Sequence, residues 1–286
     1  MPQQPRRWRP APLIRASFGL HGAAAGALVL QPGLWPWWLG ALVANHAVLT
    51  ASGMLPHSAL LGPNMTRLPP GASGRIALTF DDGPDPDVTP RVLDLLGAAG
   101  QCASFFLVGK HAARHPALVR RILAEGHSAE NHSHTHPWHF ATLGPRGQWN
   151  EVSQAQRAIL EAGGKPRFFR PPIGLRSPFL DPVLARAGLH LANWSRRGAD
   201  GALADPARIL HRLRAPRAGE ILLLHDGNCR AGPDGRAVVL SVLPELLRRI
   251  ADAGLNGVTL PAAAAGAIPA TATAAESPAS GGYASR

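Results

Sequence analysis

Two adjacent aspartates, Asp81 and Asp82, follow the apolar run Ile76-Ala77-Leu78-Thr79-Phe80 and are closed off by Gly83-Pro84. Neighbouring like charges repel, so a turn that holds both calls for a cation or a shared proton. The plain reading is an aspartate-rich turn at a strand end; the chemical reading is a metal ligand beside a general base. Further along, five of the 13 histidines, His127, His132, His134, His136 and His139, crowd into one short stretch. Two geometries suit a metal. On a helical turn His132 and His136 share a face and can chelate one divalent cation; on a strand His132, His134 and His136 share it instead. Pro137 disfavours the α conformation at His136, which limits any helix there to a single turn. The spacing leaves both geometries open, together with a solvated histidine-rich loop. Arg170, Asp200 and His225 each stand at or just past a further apolar run.

Positioning these groups requires a scaffold, and the pattern after Arg75 supplies one. Strands are expected at residues 75–80, 103–108, 127–131, 168–170, 189–194, 220–224 and 256–259. Helices are expected at 89–99, 116–125, 151–162, 205–213 and 238–253. Val152, Ala155 and Ile159, and Val242, Leu246 and Ile250, recur at helical spacing, whereas the strand runs are short and β-branched or aromatic. Alternating strands and helices imply parallel pairing through crossovers, in an open sheet or a barrel. Functional residues of such folds gather at the C-terminal strand ends, where the aspartate pair, the histidines, Arg170, Asp200 and His225 all fall.

The net charge of +11 raises the question of nucleic acid. All but two of the 29 basic residues are arginine, and the six before Asp81 face no carboxylate at all. The positive excess is therefore concentrated at the N-terminus. No basic run follows residue 80, so a nucleic-acid partner is not expected. Two cysteines, Cys102 and Cys229, are too few for a disulfide framework and read as core thiols.

Between Arg15 and Arg67 no residue carries a formal charge. Two apolar stretches, about 16–30 and 34–55, flank Gln31-Pro32-Gly33; the second is long enough to cross a hydrocarbon core of about 30 Å and the first is marginal. Trp35, Trp37 and Trp38 beside the turn suit a membrane interface. A transmembrane hairpin is the expectation, with a cleaved signal peptide as the alternative. Arg6, Arg7, Arg9 and Arg15 place the N-terminus on the cytoplasmic side. Two crossings then return the remaining chain to that side, and one crossing places it outside; both topologies stay open. The resulting division is a basic arm (1–15), membrane-associated apolar segments (16–55), a linker (56–71), a catalytic domain (72–262) and a low-complexity disordered tail (263–286).

Taken together, the motifs resemble those of the polysaccharide deacetylase family, the NodB-like domain of carbohydrate esterase family 4. Thr79-Phe80-Asp81-Asp82-Gly83-Pro84 matches the first family motif and Asn131-His132-Ser133-His134-Thr135-His136-Pro137 the second. Arg170-Pro171-Pro172-Ile173-Gly174 matches the third at all but one position; the Trp194 to Asp200 stretch resembles the fourth and Leu223-Leu224-His225 the fifth. The resemblance spans roughly residues 72–262 and implies a distorted α/β barrel of seven to eight strands.

It also implies roles. Asp82, His132 and His136 would hold one divalent metal, zinc or else cobalt or nickel, leaving His134 as a non-ligand. Asp81 would be the general base, His225 the general acid, Arg170 the partner that orients Asp81, and Asp200 the partner of His225. Ile173 would serve the oxyanion through its backbone N–H, and Leu223 would line the acyl-methyl pocket. Two departures stand out: Ile173 occupies a position that is usually Tyr, and Gly201 one that is usually Trp. The expected activity is metal-dependent removal of an N-acetyl group from an amino sugar of a glycan or glycolipid. A deformylase or deacylase of a lipid-carrier-linked sugar is the close rival, and a catalytically silent, membrane-tethered glycan-binding protein the distant one. The expected location is the bacterial inner membrane, with membrane lipid as a further partner.

Overall fold

The structure, a computed structural model, describes residues 5–265. It opens with two helices, α1 (Pro12–Leu30) and α2 (Trp35–Met54), joined by a 3-10 turn at Pro32–Leu34. Proline in the first turn of each helix starts it at no hydrogen-bond cost. The helices pair as a hairpin, with Asn45 Nδ2 donating to Ser17 Oγ at 2.9 Å and the His21 and His46 rings meeting edge to face. Their outer faces remain bare: Val29, Leu30 and Trp37 are 81%, 82% and 79% exposed. Among the described residues only α1 is both long and apolar enough to cross a membrane. That reverses the expected ranking. α2 has the length, but Asn45, His46 and three tryptophans dilute its hydropathy.

A curled parallel sheet follows. Its chain order is β1 (Arg75–Asp81), α3 (Thr89–Ala98), β2 (Ala103–Leu107), α4 (Gly109–Arg114), α5 (Pro116–Ala124), β3 (Ser128–Asn131) and α6 (Pro145–Glu161). Then come β4 (Phe168–Phe169), α7 (Leu180–Ala187), β5 (His190–Leu191), β6 (Arg196–Arg197), α8 (Pro206–Arg212), β7 (Ile221–His225), α9 (Val238–Asp252), β8 (Asn256–Gly257) and α10 (Leu260–Ala264). In space the strands run β5-β4-β3-β2-β1-β7-β6, with β8 also on β1, and every pair is parallel. This is the distorted α/β barrel that the sequence predicts.

Alternation along the strands separates two cores. On β1, Ile76, Leu78 and Phe80 face outward, in one cluster with Leu93 and Leu96 of α3 and Val242 and Leu246 of α9. Ala77 faces inward, in a smaller cluster with Phe106, Phe168, Trp194 and Leu223. β5 and β6 do not pair with each other; residues 192–195 carry the chain across the seam, with Ala192 N donating to Phe169 O and Ser195 N to Ile221 O. The segment expected as a linker lies along this seam, where Met65 N donates to Leu191 O and Leu68 N to Gly219 O.

Several elements depart from expectation. The two-residue β6 carries only arginines and shows no apolar pattern. Helices α4, α7 and α10 are new, and α6 starts at Pro145 rather than near Glu151. The start of the expected disordered tail is corrected: Leu260 and Ala264 of α10 are fully buried in the barrel interior. The rest of that tail lies outside the described residues.

Candidate metal centre and active site

Strand β1 ends at Asp81, directly opposite His225 of β7. The next residue, Asp82, turns out of the strand with a φ of 73°, a region that costs energy for any residue but glycine. The Asp82 carbonyl accepts from His111 Nδ1 at 3.0 Å, which helps to hold the turn.

The histidine segment is neither helix nor strand. It is a loop with Ser133 at φ 64° and His136 at φ 54°, so Pro137 does exclude the α conformation at His136. Its shape comes from side chains that the sequence reading passed over. Asn131 donates to Val152 O and Gln156 Oε1 on α6 and accepts from Ser133 N. The Glu151 carboxylate accepts from the backbone N–H groups of His134 and Thr135. The available signal for Glu151 was a carboxylate at the start of the helix expected at 151–162; Asn131 entered only as the first residue of the second motif.

This loop brings His132 and His136 together at the i, i+4 spacing without a helix. Each Nε2 lies 3.2 Å from Asp82 Oδ1, and the three ligand atoms fall within 4.8 Å of one another. Tetrahedral coordination with bonds near 2.1 Å spaces ligand atoms by about 3.4 Å, so the set fits a divalent cation. Two further observations favour that fit. Asp82 Oδ1 is buried without a hydrogen-bond donor. His132 Nδ1 donates to Arg170 O at 2.7 Å, which leaves the Nε2 lone pair aimed at the cluster. Burial opposes charge on Asp82, yet His132, His136 and His225 hold its carboxyl well below the usual carboxylate range. Burial likewise opposes charge on His132, but Asp81 and Asp82 raise its pKa. His134 points away, against Gly109.

Arg170 is fully buried and makes four hydrogen bonds: to Asp81 Oδ1 (2.6 Å), Thr79 Oγ1 (2.9 Å), Ala192 O (3.0 Å) and Asn193 O (2.9 Å). Its guanidinium also stacks on Phe106, 3.9 Å from the ring centre. Asp81 is thereby fixed, with its other oxygen 3.7 Å from His132 Nε2. Across the site, Asp200 accepts from both the backbone N–H and Nδ1 of His225, each at 2.8 Å. Burial works against charge on this imidazole, but Asp200, with Asp81 and Asp82 beyond it, raises its pKa to about 9.

Asp81, Asp82, His132, His136 and His225 line one pocket of about 230 Å³, which also includes Ile173, Trp194, Arg197, Gly201 and Leu223, while Arg170 and Asp200 are buried behind it. Ile173 is half exposed at the rim with a φ of 51°, and Leu223 is buried at the wall. A Cβ on Gly201 would meet the His225 ring at 3.7 Å and the Asn228 carbonyl at 3.9 Å, both ordinary contacts, so there is room where the family usually places an indole. All nine residues singled out from the sequence converge here. Trp194 and Arg197 complete the walls; Trp194 was noted only as part of a motif, and Arg197 was not singled out.

The fold and the site define a hydrolase of the curled α/β barrel class. Residues 69–192 match the model of the polysaccharide deacetylase family. A chitooligosaccharide deacetylase of Bradyrhizobium sp. (strain ANU 289) is 42% identical over 155 residues, covering 53% of this chain and 70% of the relative. A peptidoglycan-N-acetylglucosamine deacetylase of Bacillus cereus is 31% identical over 188 residues, covering 65% and 85%. The solved family 4 carbohydrate esterase from Streptomyces lividans superposes with a TM-score of 0.59 at 34% identity, over 64% of this chain and 91% of that one. The chain belongs to the polysaccharide deacetylase family, and it is a hydrolase of carbon–nitrogen amide bonds.

Proposed function

We propose that this protein removes an N-acetyl group from an amino sugar in a glycan or glycolipid, as a membrane-tethered, metal-dependent deacetylase. One observation carries the reading: the three ligand atoms of Asp82, His132 and His136 meet beside an arginine-fixed Asp81 and an Asp200-paired His225 in a single pocket. Similarity to relatives named for chitooligosaccharide and peptidoglycan N-acetylglucosamine adds support for the substrate class.

Asp82, His132 and His136 would hold the cation, zinc or else cobalt or nickel. When bound, it supplies positive charge that polarises the amide carbonyl and acidifies water. Asp81 takes the proton from the attacking water as the new C–O bond forms, and Arg170 keeps that carboxylate pointed into the pocket. The Ile173 backbone N–H donates to the developing oxyanion, a contribution of about 2.7–4 kcal/mol in comparable sites. His225 delivers a proton to the amine nitrogen as the C–N bond breaks, leaving acetate and a free amino sugar. Asp200 holds the ring so that Nε2 carries this proton. Leu223 packs against the acyl methyl.

The bare faces of the α1–α2 hairpin support a membrane tether, with a bacterial inner membrane as the proposed location. The basic arm, catalytic domain and tail keep the boundaries proposed from sequence, except that the barrel includes α10.

Metal-loaded protein should release acetate from N-acetylglucosamine oligomers. Asp81→Asn should abolish turnover and keep the metal. Metal retention with no deacylation of polymeric or lipid-linked substrates by the wild type refutes the proposal and favours a glycan-binding protein. A reporter fused after Arg286 fixes the topology.

A further inference from the structure

No basic run follows residue 80 in the chain, but the fold assembles a basic track from separate segments. Arg196 and Arg197 of β6, His211 and Arg212 from the end of α8, Arg214 beyond it, and His57 below α2 line a groove of about 440 Å³. This groove shares Trp194 and Arg197 with the catalytic pocket. It continues into a second groove through Arg196, Arg212 and Arg214 towards Arg217, where Glu220 is the lining carboxylate. Glu220 is already engaged by Arg196 at 3.1 Å and Arg67 at 4.0 Å. Among the described residues, Arg197, Arg212, Arg214 and Arg217 have no carboxylate within ion-pair distance.

The track is built rather than incidental. Arg196 Nη2 donates to the carbonyls of Arg212 and Arg214, at 2.6 and 2.7 Å, and so fixes the loop that carries them. Arg212 Nε donates to Arg197 O. The Arg214 guanidinium lies 2.8 Å from His211 Nε2. Arginine forks held this way match phosphate oxygens in geometry and charge. A neutral glycan offers them hydroxyl acceptors but no negative charge.

We propose that this groove is a phosphate subsite, which takes the phosphate or diphosphate joining the pocket's N-acylated sugar to a membrane lipid. Two placements select the lipid. The groove opens directly from the pocket wall at Trp194 and Arg197, where a sugar seated by its acyl group would send its next substituent. Its other wall is His57, whose ring meets Trp194 edge to face and which stands three residues past Met54, the end of α2. Three residues span at most about 10 Å. Met54, Leu55 and Leu60 are exposed around it, at 61%, 59% and 55%. A lipid chain leaving the phosphate therefore meets the hairpin.

The sugar placement rests on the deacetylase reading above; phosphate binding does not, and the test separates the two. Full-length protein in detergent is titrated with inorganic pyrophosphate, farnesyl diphosphate and uridine-diphosphate N-acetylglucosamine. The wild type should bind farnesyl diphosphate at least about tenfold more tightly than either other probe, and more weakly as salt rises. Arg212→Ala/Arg214→Ala should weaken it at least about tenfold, while Arg212→Lys/Arg214→Lys recovers most of the loss, with unfolding midpoints compared to exclude misfolding. In parallel, the ratio of acetate release from polyprenyl-diphosphate-linked N-acetylglucosamine to that from the neutral oligomer should fall about tenfold in the alanine pair. Unchanged diphosphate binding in the alanine pair overturns the subsite. Equal binding of the nucleotide sugar overturns the lipid assignment. Diphosphate binding that responds as stated, with no acetate from any substrate, sustains the subsite and refutes the deacetylase.

Discussion

Replacing Arg170 with methionine tests how much of the site depends on one buried cation. The guanidinium is fully buried and donates to Asp81 Oδ1, Thr79 Oγ1, Ala192 O and Asn193 O. Methionine fills much of the volume but leaves the buried Asp81 carboxylate without its hydrogen-bonded guanidinium and strips two carbonyls of their donor. Removing one partner of a buried pair costs about 3–5 kcal/mol. For a domain of this size each kcal/mol lowers the unfolding midpoint by about 2–4 °C, so a drop of roughly 6–20 °C is expected. Deacetylation should be lost while zinc stays bound, because Arg170 supports His132 through its backbone carbonyl, which the substitution keeps. Adding Asp81→Asn removes the stranded charge and should recover part of the stability, a coupling of about 0.5–3 kcal/mol. Thermal unfolding followed by circular dichroism, with metal analysis on the same samples, reads all three quantities. A midpoint within about 2 °C of wild type and an activity within about twofold would sink the argument.

Asp82→Asn should weaken zinc at least about 100-fold, beyond what loss of a mere supporting hydrogen bond costs, as measured by chelator competition. Asp200→Asn should move the basic limb of kcat/KM to lower pH. The general acid works only while protonated, and the carboxylate that raises His225 to about 9 would be gone; an unmoved limb rejects His225 as the acid. His190 has its pKa lowered to about 4 by burial and by Arg6 and Arg167, so the unfolded chain binds a proton that the folded chain refuses. Stability should therefore fall as pH drops from about 6.5 to about 4, by on the order of 1–2 kcal/mol after allowing for partial exposure, and His190→Asn should flatten that slope in urea titrations. Gly53→Ala should lower the unfolding midpoint, since a Cβ would collide with the Arg176 carbonyl where α2 meets the barrel; wild-type stability would show that the hairpin is not docked there.

The parts of this molecule legible in its sequence are those with a repeating or adjacent signal. β1, β2 and β7 are predominantly apolar, and Asp81, Asp82 and His225 follow at the ends of β1 and β7 by continuity. The histidine loop shows the opposite case. Its residue types announced a metal, but the conformation is set by Asn131 and Glu151 reaching across to and from α6, contacts invisible to a local period. β6 consists of two arginines held by pairing with β7, and α4 is too short at six residues to express a periodicity.

Charge is less legible for a related reason. Counting along the chain finds most of the positive excess at the N-terminus and no basic run after residue 80, because Arg196, Arg197, Arg212 and Arg214 are spread over two segments and separated by apolar neighbours. Folding removes that separation: Leu213 is buried in the outer core, while Arg212 and Arg214 on either side of it are exposed. The same step joins the N-terminal hairpin to the pocket rim. Arg176 N donates to Gly53 O at 3.1 Å and Asn193 Nδ2 to Pro56 O at 2.7 Å, so the loops bearing Ile173 and Trp194 are fastened to the end of α2. The rim of the pocket is thus held by the segment that would meet the lipid. On the lipid-linked reading proposed above, that coupling would carry the substrate's lipid end and its sugar end on one rigid support.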